Sequence, residues 1–418
     1  MGSMIITIRR LRNRFRLIRL ILLRGLASLV ATYRRGPARD ALDLTQLHRQ
    51  RIALVKIDGI GDFVLSTTFL SVFRDKLPTA SVTLFCRSAV VELARQQFPE
   101  WSIVGIPGRR STIRDLLLDF KTRKFLGNQS IFDILIDLRT FRDFCEATTC
   151  SWIPARQKIA FQNSLSESKR LYRLPGEHRV YDILLPLPTP HDSETAQDIQ
   201  IHRAMLRWIF PQLSELASSL PCWKFKAKTD LNLERTLESE FHLPKSKPFF
   251  LVCPGTSTTL KEYPIPALAD AIVAVITRFP MPVVISGSRA DMRTTQPLFQ
   301  LLSHRCEVRN LTGRFTLAQH LSLVALSTVV LSMDTCHAHF AGVLNIPAVV
   351  VLGGGHYGWF APWGDSSSFR WLTHPLPCFG CNWECIHEHP MCIHDISSDT
   401  LAKHVIEVIL ESKQRFLA

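Results

Sequence analysis

Long apolar runs are missing from this sequence of 418 residues. No stretch of 18 residues is both apolar and uncharged, so no transmembrane helix is expected. Internal repeats are also missing, and the only biased tract is an arginine-rich arm near the beginning. Hydrophobic residues make up 46% and charged residues 21% of the chain, which excludes a disordered, collagen-like or coiled-coil protein. The length favours two domains.

The sequence also lacks the cysteine pattern of a secreted disulfide framework. Its eleven cysteines are an odd number, and seven of them are scattered singly, several within apolar runs. This distribution is typical of a reducing compartment. The other four cysteines form one cluster that resembles a metal site.

Acidic residues are absent from residues 1–39, whose ten arginines contribute most of the net charge of +14. The rest of the chain has the charge balance of an ordinary cytosolic enzyme, which argues against a nucleic-acid partner. On a helical wheel, six apolar residues form one narrow stripe among the arginines: Leu11, Phe15, Ile18, Leu22, Leu26 and Leu29. We expect residues 4–40 to form a basic amphipathic helix on an anionic membrane surface. A helix packed on its own protein and a disordered basic tail are the alternatives.

Short apolar runs alternate with helix-like stretches in two parts of the chain, which predicts α/β architecture with parallel sheets. The predicted strands cover residues 51–57, 81–86 and 132–138 in the first part, and 249–252, 282–286, 328–332 and 347–352 in the second. We therefore predict Rossmann-like domains over residues 50–225 and 248–418, joined by a linker over 226–247. We expect them to face each other across a cleft, with ligands at the carboxyl ends of the strands.

The first candidate site follows the first predicted strand and contains Lys56, Asp58, Gly61 and Asp62. The glycines allow a tight turn, and Asp62 begins the next predicted helix. A carboxylate at this edge of a sheet could accept a proton from a hydroxyl. The alternative is that Asp62 only caps the helix, and local sequence by itself favours that alternative.

A polar turn after the predicted strand at 249–252 is the second candidate and contains Thr256, Ser257, Thr258 and Lys261. Hydroxyls, backbone N–H groups and one mobile positive charge are what a diphosphate requires. The turn lacks the GxxxxGK pattern of a P-loop, and an ordinary polar turn is the alternative.

The third candidate opens a helix after the predicted strand at 328–332 and contains Asp334, Thr335, Cys336 and His339. The first N–H groups of a helix attract anions, so this helix start is a candidate phosphate site. A capped helix with a buried, hydrogen-bonded histidine is the alternative, which the local sequence favours.

Two further candidates lie near the end of the chain. Four cysteines have the spacing of a tetrahedral thiolate site with a structural role: Cys378, Cys381, Cys385 and Cys392. Zinc is the default ion and iron is also compatible; reduced cysteines without metal are the alternative. A loop at residues 353–363, rich in glycine and aromatic residues, could line a cleft and stack on a base or sugar, or it could be a packed loop.

The order of these motifs resembles glycosyltransferase family 9, the ADP-heptose:lipopolysaccharide heptosyltransferases, over residues 51–410. The family's strand and Gly-Asp turn are matched at residues 55–65. Its Pro-Gly turn followed by a Lys-(Arg)-Trp-Pro element is matched at 254–264, and its Asp-(Ser/Thr)-Gly-x-x-His element at 334–339. A late cysteine cluster is similar in many members, and in related autotransporter heptosyltransferases such a cluster holds iron.

This resemblance implies a GT-B fold, with the acceptor on the first domain and a nucleotide-sugar on the second. It also implies an inverting transfer that uses no catalytic metal, with Asp62 as the general base. Lys261 and the turn at 256–258 would hold the donor diphosphate and stabilise its developing charge. The other donor contacts that it implies are Asp334, Thr335, Cys336, His339 and, by a looser match, Asp291.

The function expected from the resemblance is transfer of heptose from an ADP-linked donor to a lipopolysaccharide-type glycolipid. The enzyme would work in the cytoplasm, peripherally on the inner face of the plasma membrane. Another nucleotide-sugar, a protein acceptor, or an inactive GT-B membrane adaptor are the alternatives. Two departures bear on the donor. Cys336 stands where the family has glycine, so a positive φ there would be unfavourable. The loop at 353–363 is unlike that of the core-oligosaccharide heptosyltransferases.

Overall fold

The computed structural model describes residues 21–29, 31, 44–108, 121–164, 171–188, 197–213, 221, 223, 231–243, 247–364 and 366–417. The chain divides into two compact units that do not follow chain order. The first unit comprises Met1–Gly59, Ser71–Thr189 and Trp208–Pro211, and the second comprises Ile60–Leu70, Pro190–Arg207 and Gln212–Ala418. Three stretches ahead of the predicted linker, residues 60–70, 190–207 and 212–225, therefore belong with the second unit.

Each unit contains one parallel sheet of six strands. The first-unit strands are β1 (Arg51–Lys56), β2 (Ser81–Arg87), β3 (Ser102–Ile106), β4 (Phe132–Asp137), β5 (Ala155–Phe161) and β6 (Ile183–Leu185), in the order β3-β2-β1-β4-β5-β6. The second-unit strands are β7 (Phe250–Cys253), β8 (Val283–Ile285), β9 (Val308–Asn310), β10 (Val329–Met333), β11 (Ala348–Val351) and β12 (Phe369–Leu372), in the order β12-β11-β10-β7-β8-β9. The predicted α/β class is confirmed.

The centre of the second sheet positions two of the predicted motifs. β7 and β10 are buried along their whole length, as expected for strands covered on both faces. They pair in parallel, with Cys253 opposite Ser332. Because both strands end at the same edge, the polar turn after β7 and the helix start after β10 emerge side by side.

The α-helices after β1 include α1 (Ile60–Leu65), α2 (Thr67–Lys76), α3 (Val91–Gln97), α4 (Phe144–Trp152), α5 (Gln197–Ile209), α6 (Leu231–Phe241), α7 (Ile265–Arg278), α8 (Met292–Leu302), α9 (Leu317–Leu326), α10 (Cys336–Leu344), α11 (Met391–His394) and α12 (Ser398–Leu417), and a 3-10 helix, Leu44–Arg49, precedes β1. Residues 121–127 are also helical. The core of the second unit is formed by the sheet together with apolar residues of α7 and α12, such as Leu268, Ile272, Leu401 and Val405.

The helix expected after β1 is interrupted at Ser66, so that two helices replace one. The Ser66 hydroxyl donates to the Phe63 carbonyl at 2.6 Å, and the Thr67 hydroxyl donates to the Val64 carbonyl at 2.6 Å. Hydroxyl groups that bond to carbonyls of the preceding turn commonly bend or interrupt a helix. The interruption leaves α1 as a short element that packs against α10 within the second unit.

The described part of the arginine-rich arm, residues 21–29, is helical. One face is buried, because Leu23 and Ala27 belong to the core of the first unit. Leu22, Leu26 and Leu29, three members of the predicted apolar stripe, are exposed. Leu11, Phe15 and Ile18 lie outside the described residues, which in the arm are residues 21–29 and 31. No helix within the described ranges is long and apolar enough to cross a membrane.

Candidate functional site

A buried ion pair lies where the motifs after β7 and β10 meet. The Lys261 Nζ atom is 2.7 Å from Oδ2 of Asp334 and also donates to the Asp334 carbonyl at 3.3 Å. The side chains are only 15% and 9% exposed. Lys261 Nζ also lies 4.9 Å from the centre of the Trp383 ring, within cation–π range. The structure therefore brings together two residues that the sequence analysis placed in separate candidate sites.

The turn between β7 and Lys261 is shaped by its own hydroxyls. The Thr256 hydroxyl donates to the Thr258 carbonyl at 2.8 Å, and the Thr258 hydroxyl accepts from the Leu260 N–H at 3.4 Å. Thr258 thereby caps the short 3-10 helix Thr259–Lys261 that carries the lysine. Ser257 is exposed at the top of the turn. The hydrogen bonds of Thr256 and Thr258 hold the turn together and set the position of the short helix that carries Lys261.

The start of α10 is the second part of the site. Thr335 precedes the helix and uses its hydroxyl to contact Ser332 Oγ at 3.3 Å and His337 Nδ1 at 3.4 Å, so it does not cap the helix with its side chain. Cys336 is the first helical residue and is not among the described residues with positive φ. Replacement of the family's glycine by Cys336 is therefore accommodated by ordinary helical backbone. Burial raises the pKa of the Cys336 thiol to about 12.

His339 lies one turn into α10 and is 4% exposed. Its Nδ1 atom accepts a hydrogen bond from Trp363 Nε1 at 3.1 Å, and the two rings are parallel with centroids 5.8 Å apart. Burial lowers the pKa of His339 to about 4, although the carboxylates of Asp334 and Asp198 oppose the shift. The imidazole is therefore neutral at pH 7, and it is a buried, hydrogen-bonded histidine beside the ion pair.

α1 carries Asp62 and packs against α10. Gly61 is required for this contact, because a Cβ at Gly61 would lie 2.7 Å from Cδ2 and 3.0 Å from Nε2 of His339. Asp62 is the third residue of α1 and lies in its first turn. Asp62 is therefore inside the helix and not the residue before it, since the helix begins at Ile60. Whether its role is that of a cap or of a general base stays a prediction. A carboxylate in the first turn still interacts favourably with the helix dipole.

Asp291 is occupied by structural bonds. Its Oδ2 atom accepts from the Ser288 N–H and the Ser288 hydroxyl, each at 2.7 Å. The same carboxylate fills the space beside Gly255, where a Cβ would lie 2.2 Å from Asp291 Cγ. Asp291 therefore ties the turn after β8 to the turn after β7, and its predicted ribose contact stays a prediction.

Lys56 and Asp58 lie in the first unit, at the end of β1. Their side chains form an ion pair with Nζ and Oδ2 3.1 Å apart, and Lys56 is 1% exposed. The ion pair joins the end of β1 to the turn that follows it. A role in acceptor binding stays a prediction.

A buried charge network lies at the carboxyl end of β4 and was not predicted from the sequence. Arg139 binds Asp137 in a bidentate pair, with both N···O distances 2.9 Å, and Tyr181 OH donates to the same carboxylate at 2.6 Å. Burial raises the pKa of Asp137, but Arg139 and Arg142 outweigh it and bring the pKa to about 2. Burial raises the pKa of nearby Glu146 to about 8. The sequence signal for this network was Arg139 and Arg142, which follow shortly after the predicted strand at 132–138.

The cysteine cluster does not form a converged metal site. The Cys378 Sγ atom lies 3.7 Å from His387 Nε2, and the Gly354 N–H donates to Cys392 Sγ at 3.4 Å. The other three thiols act electrostatically on Cys392, so the four sulfurs share one region. Within the described ranges, however, no three histidine, cysteine or carboxylate side chains are arranged to hold an ion. The structural zinc or iron stays a prediction, which metal analysis of the purified protein would test.

The loop at residues 353–363 packs against the cysteine segment. A Cβ at Gly355 would lie 2.2 Å from Trp383, and one at Gly354 would lie 2.3 Å from Phe379, so these glycines allow both rings to approach the backbone. The loop ends in Trp363, the partner of His339. The packed-loop interpretation therefore holds for this part, and stacking on a base or sugar stays a prediction.

The chain matches the model of glycosyltransferase family 9 (heptosyltransferase) over residues 151–387, more than half of its length. It therefore belongs to glycosyltransferase family 9 and is a glycosyltransferase. No curated protein sequence matches the chain significantly.

Solved structures of the same fold include three with TM-scores near 0.6. One is ADP-heptose LPS heptosyltransferase II of E. coli, with 16% identity, a TM-score of 0.59, and coverage of 87% of this chain and 99% of that chain. The family 9 glycosyltransferase of Veillonella parvula has 17% identity, a TM-score of 0.61, and coverage of 88% and 99%. E. coli heptosyltransferase WaaC with ADP-2-deoxy-2-fluoro heptose has 12% identity, a TM-score of 0.58, and coverage of 87% and 99%. At these identities the likeness establishes the fold.

Proposed function

We propose that this glycosyltransferase moves a sugar from a nucleoside-diphosphate donor to a hydroxyl of a lipopolysaccharide-type glycolipid, with ADP-heptose as the donor. The observation that carries the proposal is the Lys261–Asp334 ion pair beside the start of α10, at the carboxyl ends of β7 and β10. A lysine, a helix start and hydroxyls suit a diphosphate. The names of the solved relatives, which include ADP-heptose enzymes, support the choice of donor.

In the proposed reaction, the acceptor hydroxyl attacks the anomeric carbon of the donor sugar. Its oxygen forms the new glycosidic bond while the bond between that carbon and the diphosphate oxygen breaks, which inverts the configuration. Asp62 accepts the proton of the hydroxyl. The nucleoside diphosphate leaves with its negative charge held by Lys261 and by N–H groups at the start of α10. Asp334 keeps the Lys261 ammonium in place before the donor binds.

The test of the donor is a thermal shift measurement with ADP, UDP, GDP and CMP at equal concentrations. A ligand at about 100 times its Kd adds roughly 2.7 kcal/mol to the free energy of unfolding, which is easily detected. Selective stabilisation by ADP is expected. Selective stabilisation by another nucleotide would replace the donor, and the absence of any shift would favour the inactive adaptor.

The test of Asp62 is the variant Asp62→Asn, which keeps the shape of the side chain and removes its basicity. We expect loss of sugar transfer with an unchanged thermal shift by the nucleotide. Full turnover by Asp62→Asn would show that the general-base role is wrong.

We also propose that the arginine-rich arm binds an anionic membrane surface, at the inner face of the plasma membrane. Two observations support this: the exposed side chains of Leu22, Leu26 and Leu29, and the absence of acidic residues from residues 1–39. Leu23 and Ala27 attach the same helix to the first unit, so the apolar face would be held against the lipid by a folded domain.

Flotation with vesicles that contain anionic lipid tests the arm. The triple variant Leu22→Ser, Leu26→Ser, Leu29→Ser should float less than the wild type, because it removes apolar area from the lipid interface. A matched triple variant of Ile131, Met292 and Leu301 to Ser, which are exposed apolar residues outside the arm, should float normally. Equal flotation of the arm variant and the wild type would contradict the proposal.

A further inference from the structure

The partner of His339 fixes which of its two ring nitrogens carries the proton. Trp363 Nε1 can only donate a hydrogen bond, and it lies 3.1 Å from His339 Nδ1. Nδ1 must therefore be the unprotonated nitrogen. In a neutral imidazole the proton is then on Nε2, which becomes a donor.

The Nε2 edge of His339 faces α1. A Cβ at Gly61 would lie 3.0 Å from Nε2 and 2.7 Å from Cδ2, so only the absence of a side chain at Gly61 allows the imidazole to come this close. Gly61 immediately precedes Asp62 in the first turn of α1. The N–H that Trp363 selects is thus presented to the turn that carries the proposed general base.

Trp363 is itself held from several sides. It is 2% exposed, and its carbonyl accepts from Trp371 Nε1 at 2.8 Å. A Cβ at Gly342 would lie 2.7 Å from Trp363 Cη2, so Gly342 leaves room for the indole on α10. His339 and Gly342 are three residues apart and lie on one face of that helix. Together they form a slot that fixes the orientation of the indole ring.

We propose that Trp363 is a positioning residue that holds His339 as the neutral Nε2–H tautomer facing the Gly61–Asp62 turn. The functional meaning of this inference rests on the role proposed for Asp62. The charged groups that act on His339 are Asp334 after β10, Lys261 after β7 and Asp198 on α5. Asp62 is the residue next to Gly61 on the packed helix α1. Trp363 itself is uncharged, so its contribution is separable from theirs.

The first test is NMR of the full-length protein with 15N-labelled histidine at pH 7.5. The chain has 15 histidines, so the His339 signals are assigned as those lost in His339→Gln. We expect the wild type to show His339 protonated on Nε2. In Trp363→Phe, which keeps a buried ring and removes the donor, we expect a mixture of tautomers. The His339 pKa should rise from about 4, because a proton on Nδ1 no longer meets an N–H group.

Trp101→Phe is the matched control, because it removes the indole of a buried tryptophan that stacks on Phe98 in the first unit. We expect its His339 signals to resemble the wild type. A wild-type His339 protonated on Nδ1 would overturn the inference, and this measurement needs no variant of Trp363 to fold. An unchanged tautomer and titration in Trp363→Phe would overturn it as well.

Sugar transfer gives the second readout. With ADP-heptose and a lipopolysaccharide acceptor, the acid limb of the kcat profile of Trp363→Phe should move to higher pH, with the donor KM unchanged. An acid limb that does not move would overturn the functional part. Full turnover by Asp62→Asn would refute the proposed function and leave the NMR result intact, so the two failures are distinguishable.

Discussion

Among the residues of the proposed donor site, we expect substitution of Lys261 to lower the transfer rate most. In Lys261→Ala the leaving diphosphate loses its cation, and buried Asp334 loses its partner. Removal of one preorganised group that stabilises a developing oxyanion typically lowers the rate by about 10²–10³-fold, and we expect a fall of this size in transfer rate. The ADP-induced thermal shift should also shrink. Lys247→Ala, which removes an exposed lysine paired with Glu307, is the control and should change neither.

Gly61 should tolerate no side chain. The methyl group of Gly61→Ala would lie 2.7 Å from His339 Cδ2, and His339 is held in place by Trp363. Because the ring cannot move aside, α1 must shift, and we expect a loss of about 1–3 kcal/mol in the free energy of unfolding measured with urea. Gly127→Ala, where nothing lies within 4 Å of the new methyl group, should be neutral or slightly stabilising. Equal stability of the Gly61 variant and the wild type would disprove the close contact.

The sequence allowed prediction of site residues that directly follow a strand, because parallel strands end at a common edge. Lys261 and Asp334 were predicted in this way, and they form one ion pair. The role of Trp363 could not be predicted, since it depends on a hydrogen bond to a residue 24 positions earlier in the chain. The steric role of Gly61 was hidden for the same reason: it is defined by a helix nearly 300 residues away.

At the level of elements, strands with mostly apolar sequences were predictable, and several short or partly polar strands were not. β7 and β11 are continuous apolar runs, and β1, β4 and β10 each contain at least three consecutive apolar residues. β5 begins Ala-Arg-Gln-Lys, and its first three positions are not fully buried. Because three of these four residues are polar, the sequence does not resemble that of a core strand. β6 and β9 have only three residues each, too few for a periodic pattern.

The helix pair α9 and α10 should make the second unit sensitive to acid. His320 of α9 and His337 of α10 lie ring to ring, with centroids 5.3 Å apart. Burial, with His320 adding to it, lowers the pKa of His337 to about 3, and burial also lowers the pKa of His320. The unfolded chain takes up a proton near the ordinary 6.5, whereas folded His337 stays neutral. Stability is therefore complete above that pH and is lost as the pH falls from 6.5 toward 3.

His337→Phe tests this pH dependence. Between pH 6.5 and 5, one such histidine changes the free energy of unfolding by about 1.6 kcal/mol. We expect urea unfolding to show that the variant loses about this much less than the wild type over the interval. His304→Gln, which removes an exposed histidine, should keep the wild-type slope. A wild-type slope in His337→Phe would mean that His337 does not carry the effect.

Considered as a whole molecule, the chain passes between its two units more often than a sequence with one linker predicts. Ile60–Leu70 follows β1 of the first unit yet belongs to the second, as does Pro190–Arg207. Sequence analysis assigns a segment to the domain of its chain neighbours. Here tertiary packing decides instead, because α1 lies against α10. Hydrogen exchange can therefore report whether α1 shares the stability of its sequence neighbours or that of its packing partners.

The expected result is that saturating ADP slows amide exchange in α1 together with the turns at residues 254–261 and 334–339. Bound ligand raises the free energy of every opening that destroys its site, by about 2.7 kcal/mol at 100 times Kd, which slows exchange about 100-fold. β4 and β5 lie in the first unit. Their amides should exchange at the rates measured without ADP wherever the opening leaves the donor site intact. Lys261→Ala with the same ADP is the control and should show little protection. The opposite result is that α1 exchanges at the rates of β4 and β5 and is not slowed by ADP. The helix that carries Asp62 would then share the stability of the first unit, and Gly61 would not couple Asp62 to His339.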